Sequence, residues 1–453
     1  MVTVQGDKHL YSLQVLERYG IGMANRVVVA GGGASGLTAA IFAARNGSNV
    51  TILEHKDRVG KKILMTGNGK CNLTNMSDVR GKYYSSNQQS LDMIYDTLVR
   101  FDAEKTRAFF TTLGLYTKEK RDGGVYPVSE QAAVVLDVLR SECERHGVRT
   151  ITDCEIASVK PESSGGKIRL IRYFRETAGK DVKKSKKAEI VSQKTETIQY
   201  DRLILATGGK AAAVSGSDGS GYELAKCLGH SIIEPLPALV QLRCEGNFFK
   251  SVSGVRAQSS LVLYVDGKPV AGEEGELQLT DYGISGIPVF QFSRIAARAL
   301  HEKKKCEVHI NFIPYIAEPV QEAEKLPIEC YGHKTVEEFL AGLVHKKLAA
   351  MICRQHGIAC ATTVEQAGIR SIRECIMMLA DFRVKVTDTN SFDNAQVCCG
   401  GVPLWEVDDS FRSKKCNNVY LVGELLDCDG ICGGYNLQWA WATGAIAGEA
   451  ASH

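Results

Sequence analysis

The sequence predicts an α/β protein in which a parallel-sheet domain is split by an inserted β-barrel-like domain, and the insert carries a helical subdomain. Three observations predict this. An apolar, β-branched run at residues 27–30 (VVVA) leads directly into glycines in G-x-G-x-x-G spacing. Near Ser217 the texture changes to short alternating strands and then to helical periodicity. Finally, an apolar strand at residues 418–422 (NVYLV) and a glycine-rich helix start return the chain to its first domain.

The opening run has the pattern of a buried parallel strand. Gly31 allows the tight turn out of it, Gly33 lets backbone approach a pyrophosphate, and Gly36 lets the next helix pack close. Residues 37–45 are helix-prone and Gly47 supplies a stop. The helix N-terminus near Ala34 and Ser35 offers unpaired N–H groups and a positive dipole end to phosphate. Residues 50–53 form a second strand. Glu54 ends it, eighteen residues past Gly36, where a carboxylate accepts from ribose hydroxyls. Strand, helix and acidic strand end together define a Rossmann-like dinucleotide site. A second loop then follows, Lys61 and Lys62 through Gly67, Asn68, Gly69, Lys70, Cys71 and Asn72. It is rich in glycine and donors, and a plain dehydrogenase lacks it. The combination indicates a flavin, with this loop lining pyrophosphate and flavin edge.

Composition bounds the rest. A chain of 453 residues with 44% hydrophobic and 24% charged residues is an ordinary globular protein of two or three domains. A formal charge of +3 gives no support for a nucleic-acid or membrane surface, and no apolar run spans a bilayer. Residues 1–22 lack a signal-peptide pattern and do not match the fold; they are expected to be a disordered arm or a start-site artefact ahead of Met23. Fifteen cysteines without an export signal point to the cytoplasm. None has zinc or iron–sulfur spacing, so no metal site is expected, and most read as free thiols.

Further along, residues 95–113 and 132–146 read as helices, and residues 150–159, 167–174 and 197–200 as strands. The lysine-rich stretch at 179–189 reads as a solvated turn rather than an RNA or lipid contact. Residues 203–206 are another apolar strand, ending in Thr207, Gly208 and Gly209. Short strands are expected at 240–244, 260–265, 275–280 and 306–312, mostly helix over 320–382, and strand again at 383–387 and 395–399. The expected domains are therefore 23–214 with 395–453, an insert of 215–315 with 381–394, and a helical subdomain at 316–380. Near the end, Gly423 and Glu424 follow a strand, where Glu424 suits ribityl hydroxyls. Gly433, Gly434, Tyr435, Asn436 and Leu437 open the last helix, with N–H groups suited to the flavin N1–O2 edge.

These segments resemble the BaiN-like family of flavoproteins. The resemblance is carried by GGGASG (31–36), KKILMTGNGKCNLTN (61–75), VYPVSEQA (125–132), LATGG (205–209), DGSGYELA (218–225), TDYGISG (280–286) and GELLDCDGICGGYNLQWAWATG (423–444), in family order. It implies noncovalent FAD held by the residues above together with His55 and Ile156. NAD(P)H is the implied electron donor. Two departures, Asp281 in place of the usual histidine and Pro288 one residue later than usual, lie in the insert and bear on substrate choice.

The family's chemistry implies reduction of a C=C bond conjugated to a ketone, with 3-oxo-Δ4 or Δ4,6 bile-acid intermediates as the small apolar enone. Hydride passes from flavin N5 to the β-carbon, a donor polarises the ketone, and an acid protonates the α-carbon. Tyr435 is the first candidate donor or acid and Tyr282 the second; Cys71 is a candidate redox partner. The alternatives are an FAD oxidoreductase on another small metabolite, or a flavin-binding regulatory or RNA-associated protein contacting RNA through residues 183–187.

Overall fold

The computed structural model describes residues 24–175, 190–317, 319, 321 and 328–453. The expectations for residues 1–22 and for the lysine-rich turn at 179–189 lie outside them.

Five parallel strands form the central sheet, in the order Val419–Leu421, Arg202–Leu205, Arg26–Ala30, Asn49–Leu53, Arg149–Ile151. The helix Ala34–Arg45 makes the first crossover. The last helix, Tyr435–Ala451, lies against it and crosses closely because glycines permit it. A Cβ on Gly444 would stand 2.4 Å from the Ser35 carbonyl oxygen, and one on Gly448 2.4 Å from that of Ala39. The same helix fixes the second glycine-rich loop. Trp441 Nε1–H donates to the Leu73 carbonyl at 2.9 Å, and Gln438 accepts from the Thr74 and Thr106 hydroxyls while donating to the Phe101 carbonyl.

Where one helix is expected at 95–113 there are two, Ser90–Arg100 and Ala103–Thr112. Asp102 makes the break: its extended backbone leaves the helix, and its side chain accepts from Lys105 N–H as the cap of the second. The strand expected at 150–159 is likewise two pieces, Arg149–Ile151 in the central sheet and Cys154–Glu162 in a separate antiparallel sheet. Asp153, at φ 50°, turns the chain between them.

Six strands close a barrel, in the order Leu242–Cys244, Gly283–Ser285, Lys268–Leu279, Arg256–Val265, Cys306–Asn311, Phe382–Thr389, the last pairing back to the first. Asp266 and Gly267, at φ 49° and 77°, form the tight turn of the longest hairpin. The helices Val336–Leu340, Lys346–Gln355 and Val364–Ala380 share the barrel's hydrophobic core, which is separate from that of the central sheet. Thr335 and Thr363 start two of them with reciprocal capping boxes.

The longest element absent from the sequence expectation is the helix Ile287–His301. Pro288 occupies its first turn, where the missing N–H costs nothing. Val289, Phe292, Ser293, Ala296, Ala297 and Ala299 form its buried stripe. The helix carries Arg294 to Asp429, near the chain's C-terminal end, with hydrogen bonds of 2.7 and 3.2 Å. It therefore joins the insert to the nucleotide-binding unit at the site.

Candidate cofactor cavity

A cavity of about 1570 Å³ runs from the first glycine turn to the wall formed by Ile287, Phe290 and Gln291. Ligand pockets are more often roughly 300–1,000 Å³, so this one has room for a dinucleotide and a second molecule.

At one end the glycines divide by role. A Cβ on Gly31 would fall 2.4 Å from the Ala206 carbonyl oxygen, and one on Gly36 1.9 Å from that of Gly31. Both are therefore glycine for the sake of the protein's own backbone. Gly33 meets nothing within 4 Å and lines the cavity with Ala34 and Ser35 at the start of the helix. A side chain there would occupy space that only a ligand would otherwise fill. Glu54 is buried at the wall and held in place, Oε2 accepting from Gly32 N–H and Oε1 from Lys56 N–H, both at 2.9 Å. His55, Ile156, Thr207 and Gly208 line the same end.

In the middle, Lys62 Nζ donates to Glu424 Oε2 at 2.6 Å, while Glu424 Oε1 accepts from Cys398 N–H at 3.0 Å. Gly209 stands behind this carboxylate rather than on the wall, and Gly423 packs against the Ser35 side chain. The loop between Lys61 and Asn72 turns through successive left-handed residues, Gly67, Asn68 and Gly69, with Cys71 also at φ 58°. Lys61, Gly67, Asn68, Lys70 and Asn72 reach the cavity wall; Gly69 and Cys71 do not. Cys71 is fully buried, and loss of solvation pushes its thiol up to about 12, which removes the thiolate needed for redox chemistry.

At the far end Gly433, Gly434, Tyr435, Asn436 and Leu437 line the wall. Gly434, at φ 97°, caps the last helix and brings its N-terminus against the cavity. Asn436 is committed to structure, its side chain closing hydrogen bonds with both backbone groups of Gly430. Tyr435 is buried, its ring edge-on to Tyr83, its carbonyl accepting from the Tyr83 hydroxyl at 2.7 Å, and its own hydroxyl hydrogen-bonded to Ser77. Burial raises its phenol above the ordinary value, so it holds its proton at neutral pH. Tyr282 is elsewhere: it lies on the barrel with Arg243 over its ring at 5.3 Å, off the cavity wall.

Three polar atoms on this wall, Asn72 Oδ1, Thr207 Oγ1 and His55 Nε2, are buried without a hydrogen-bond partner in the protein. His55 Nε2 lies 3.6 Å from Asp218 Oδ2, and Asn72 and Thr207 are lining residues with an unpaired polar atom each, as suits a polar ligand. With the glycine turn, the buried Glu54 and the helix N-terminus, this donor and acceptor set fits FAD.

Sequence reasoning left out Asn75, Ser77, Lys82, Asp122, Tyr126, Phe290 and Gln291, which also line the cavity. Asn75 and Tyr126 fall inside motifs already singled out. Phe290 and Gln291 had no such signal, because the helix Ile287–His301 brings them in from the insert. Among the described residues no group of three or more His, Cys, Asp or Glu is placed to hold a metal, all fifteen cysteines are free, and no helix is long and apolar enough to cross a membrane.

The family model described as HI0933-like protein Rossmann domain matches residues 25–450. The 3-dehydro-bile acid delta(4,6)-reductase of Clostridium scindens is 40% identical over 94% of this chain and 99% of its own, which bears out the BaiN-like resemblance. The ribosomal RNA dihydrouridine synthase of Haemophilus influenzae is 25% identical over 92% of this chain and 96% of its own. Among solved structures, the 3-ketosteroid delta1-dehydrogenase of Sterolibacterium denitrificans matches with a TM-score of 0.46 and 12% identity, covering 94% of this chain and 99% of that one.

Proposed function

The chain belongs to the HI0933-like protein Rossmann domain family, and from that membership and the cavity we propose that it is an FAD-dependent oxidoreductase reducing a C=C bond conjugated to a ketone, with 3-oxo-Δ4 or Δ4,6 bile-acid intermediates as substrates. One observation carries the proposal. Besides the residues suited to FAD, the cavity lining includes the apolar side chains of Ile287 and Phe290 from the insert and of Ile431 and Leu437, together with Tyr435. Apolar side chains beside a phenol that keeps its proton suit an enone with a rigid apolar body. The 40%-identical relative is a 3-dehydro-bile acid delta(4,6)-reductase, which supports that substrate class.

FAD, when bound, supplies the hydride for the β-carbon. The chain supplies the rest. Gly31, Gly33 and the helix start at Ala34 and Ser35 would hold the pyrophosphate, Glu54 the adenosine ribose, and Lys62 with Glu424 the ribityl chain. The N-terminus of the last helix would offer positive dipole density to the negative charge of a reduced flavin. Tyr435 delivers a proton to the α-carbon or a hydrogen bond to the ketone. The apolar wall excludes water from both steps. NAD(P)H is the proposed reductant and the cytoplasm the proposed location.

Anaerobic mixing of the photoreduced protein with 3-oxo-4-ene and 3-oxo-4,6-diene bile acids tests this. Flavin reoxidation with loss of enone absorbance is expected; no reoxidation across the panel overturns it. A second reading, an RNA-directed enzyme, is favoured by the ribosomal RNA dihydrouridine synthases of Haemophilus influenzae and Escherichia coli at 25% and 26% identity. Reoxidation by ribosomal RNA and not by the enones would select it.

A further inference from the structure

At the cavity's mouth three lysines converge on one carboxylate. Lys70 Nζ lies 2.7 Å from Glu130 Oε2, while Lys118 and Lys120 lie 2.9 and 4.0 Å from Oε1. The ammonium groups hold the Glu130 acid far down, at about 2. Three like charges within a few ångströms repel one another, and a single carboxylate leaves the group cationic. Asp122, the other acid on this part of the wall, accepts from Gly124 N–H as a carboxylate, so three ammoniums face two carboxylates and the excess is a single positive charge. Lys120 is the least engaged of the three: beyond hydrogen-bond reach of Glu130, it stands 4.0 Å above the Tyr126 ring. Lys70, Lys120 and Tyr126 all line the cavity, and the lysine side chains are 39–48% exposed. On the same lining, Met65 and Ile287 are exposed apolar side chains. The lining therefore carries both cationic and exposed apolar side chains.

We propose that Lys70, Lys118 and Lys120 form a seat for the carboxylate of an amphipathic substrate, with Glu130 as the built-in anion that orders the three ammoniums between turnovers. The inference rests on the proposed function, which makes the substrate an acid with an apolar body. It adds where the acid end goes, and it makes the charged tail a determinant of specificity. Glu130 gives the proposal a sign that a merely structural cluster does not share. Removing lysines weakens binding of an acid, whereas removing the competing carboxylate strengthens it.

The test compares a 3-oxo-4-ene bile acid with its methyl ester, and a saturated bile acid with its methyl ester as non-reducible ligands followed by equilibrium dialysis. In the wild type, acid binding should weaken with salt more than ester binding. Lys118→Ala/Lys120→Ala should raise KM and the dissociation constant for the acids about 3- to 10-fold more than for the esters, the range expected of two part-exposed ion pairs. Glu130→Gln should move the acids' values in the opposite direction. Equal acid and ester behaviour in the wild type, or lysine and Glu130 variants shifting together, overturns the seat while leaving enone reduction standing. Lysine-dependent binding of the saturated acid without turnover of any enone supports the seat and removes the proposed reaction. Displacement of the acid by a uridine oligonucleotide at lower concentration than by the free acid itself overturns the small-carboxylate assignment in favour of RNA phosphate.

Discussion

Arg294 holds Asp429 through two hydrogen bonds, Nε to Oδ2 at 2.7 Å and Nη2 to Oδ1 at 3.2 Å, with the side chains only 16% and 1% exposed. The guanidinium also lies 4.3 Å over the Tyr84 ring. The pair therefore fastens the helix that walls the cavity to the short strand Asp429–Gly430, just ahead of the last helix. Breaking a buried pair leaves one charge uncompensated, and the cost is about 3–5 kcal/mol. Asp429→Ala should lose that much stability in urea unfolding. Arg294→Met/Asp429→Leu, which removes both charges, should lose clearly less; an equal or greater loss in the double variant would show that the pair's charges are not what matters.

The glycines of the first turn separate folding from ligand binding. Gly36→Ala places a Cβ 1.9 Å from the Gly31 carbonyl oxygen, so it should lower the melting temperature of the flavin-free protein. Gly33→Ala meets no protein atom within 4 Å, so its flavin-free melting temperature should match the wild type while FAD affinity falls. Thermal melts with and without FAD, and the ratio of flavin to protein absorbance, check both.

Tyr435→Phe should retain flavin and lower kcat about 100-fold, the lower range for loss of a positioned acid. Tyr282→Phe should lose less, since that ring faces Arg243 on the barrel. Rapid mixing of the reduced variants with enone separates the chemical step from substrate binding.

Cys71 should be among the last thiols alkylated. At pH 7.5 a thiol pushed up to about 12 is almost wholly protonated, and it is fully buried. The exposed Cys227, Cys330 and Cys360 should react with iodoacetamide first, as peptide mapping by mass spectrometry would show. Early labelling of Cys71 in the native protein would restore it as a redox candidate.

His230 sets a pH dependence of stability. Its Nδ1 lies 2.8 Å from Glu406 Oε2 and its Nε2 2.7 Å from the Ser413 hydroxyl. Burial holds its pKa below the ordinary value despite Glu406. The unfolded chain therefore takes up a proton near pH 6.5 that the folded chain refuses until lower pH, so stability falls as pH drops below about 6.5. His230→Gln should flatten melting temperature against pH between 5.5 and 7; an unchanged slope would exclude this histidine as its source.

Much of the site was legible because local chemistry wrote it into short segments. Gly31, Gly33, Glu54 and the run from Gly433 to Leu437 each satisfy a backbone or dipole requirement visible in a few residues. Other features had no such trace. Asp102 breaks a helix that periodicity reads as continuous, because one capping side chain outweighs apolar spacing. Tyr282 and Cys71 sit in motifs as prominent as that of Tyr435, yet only folding decides which side chain faces the cavity. The helix Ile287–His301 directly follows the short strand Gly283–Ser285, and its buried stripe is mostly small residues around Phe292.

The sequence by itself determined the α/β class, the Rossmann-like start, the return of the chain at its end and the residues suited to a flavin, because these follow from local turns, apolar periodicity and helix ends. Tertiary structure decided how the parts meet. It closed six strands into a barrel, brought Lys62 to Glu424 across 362 residues, and brought Phe290 and Gln291 to the cavity that Tyr435 lines. Those relationships depend on contacts between segments remote in the chain. No window of sequence contains both partners.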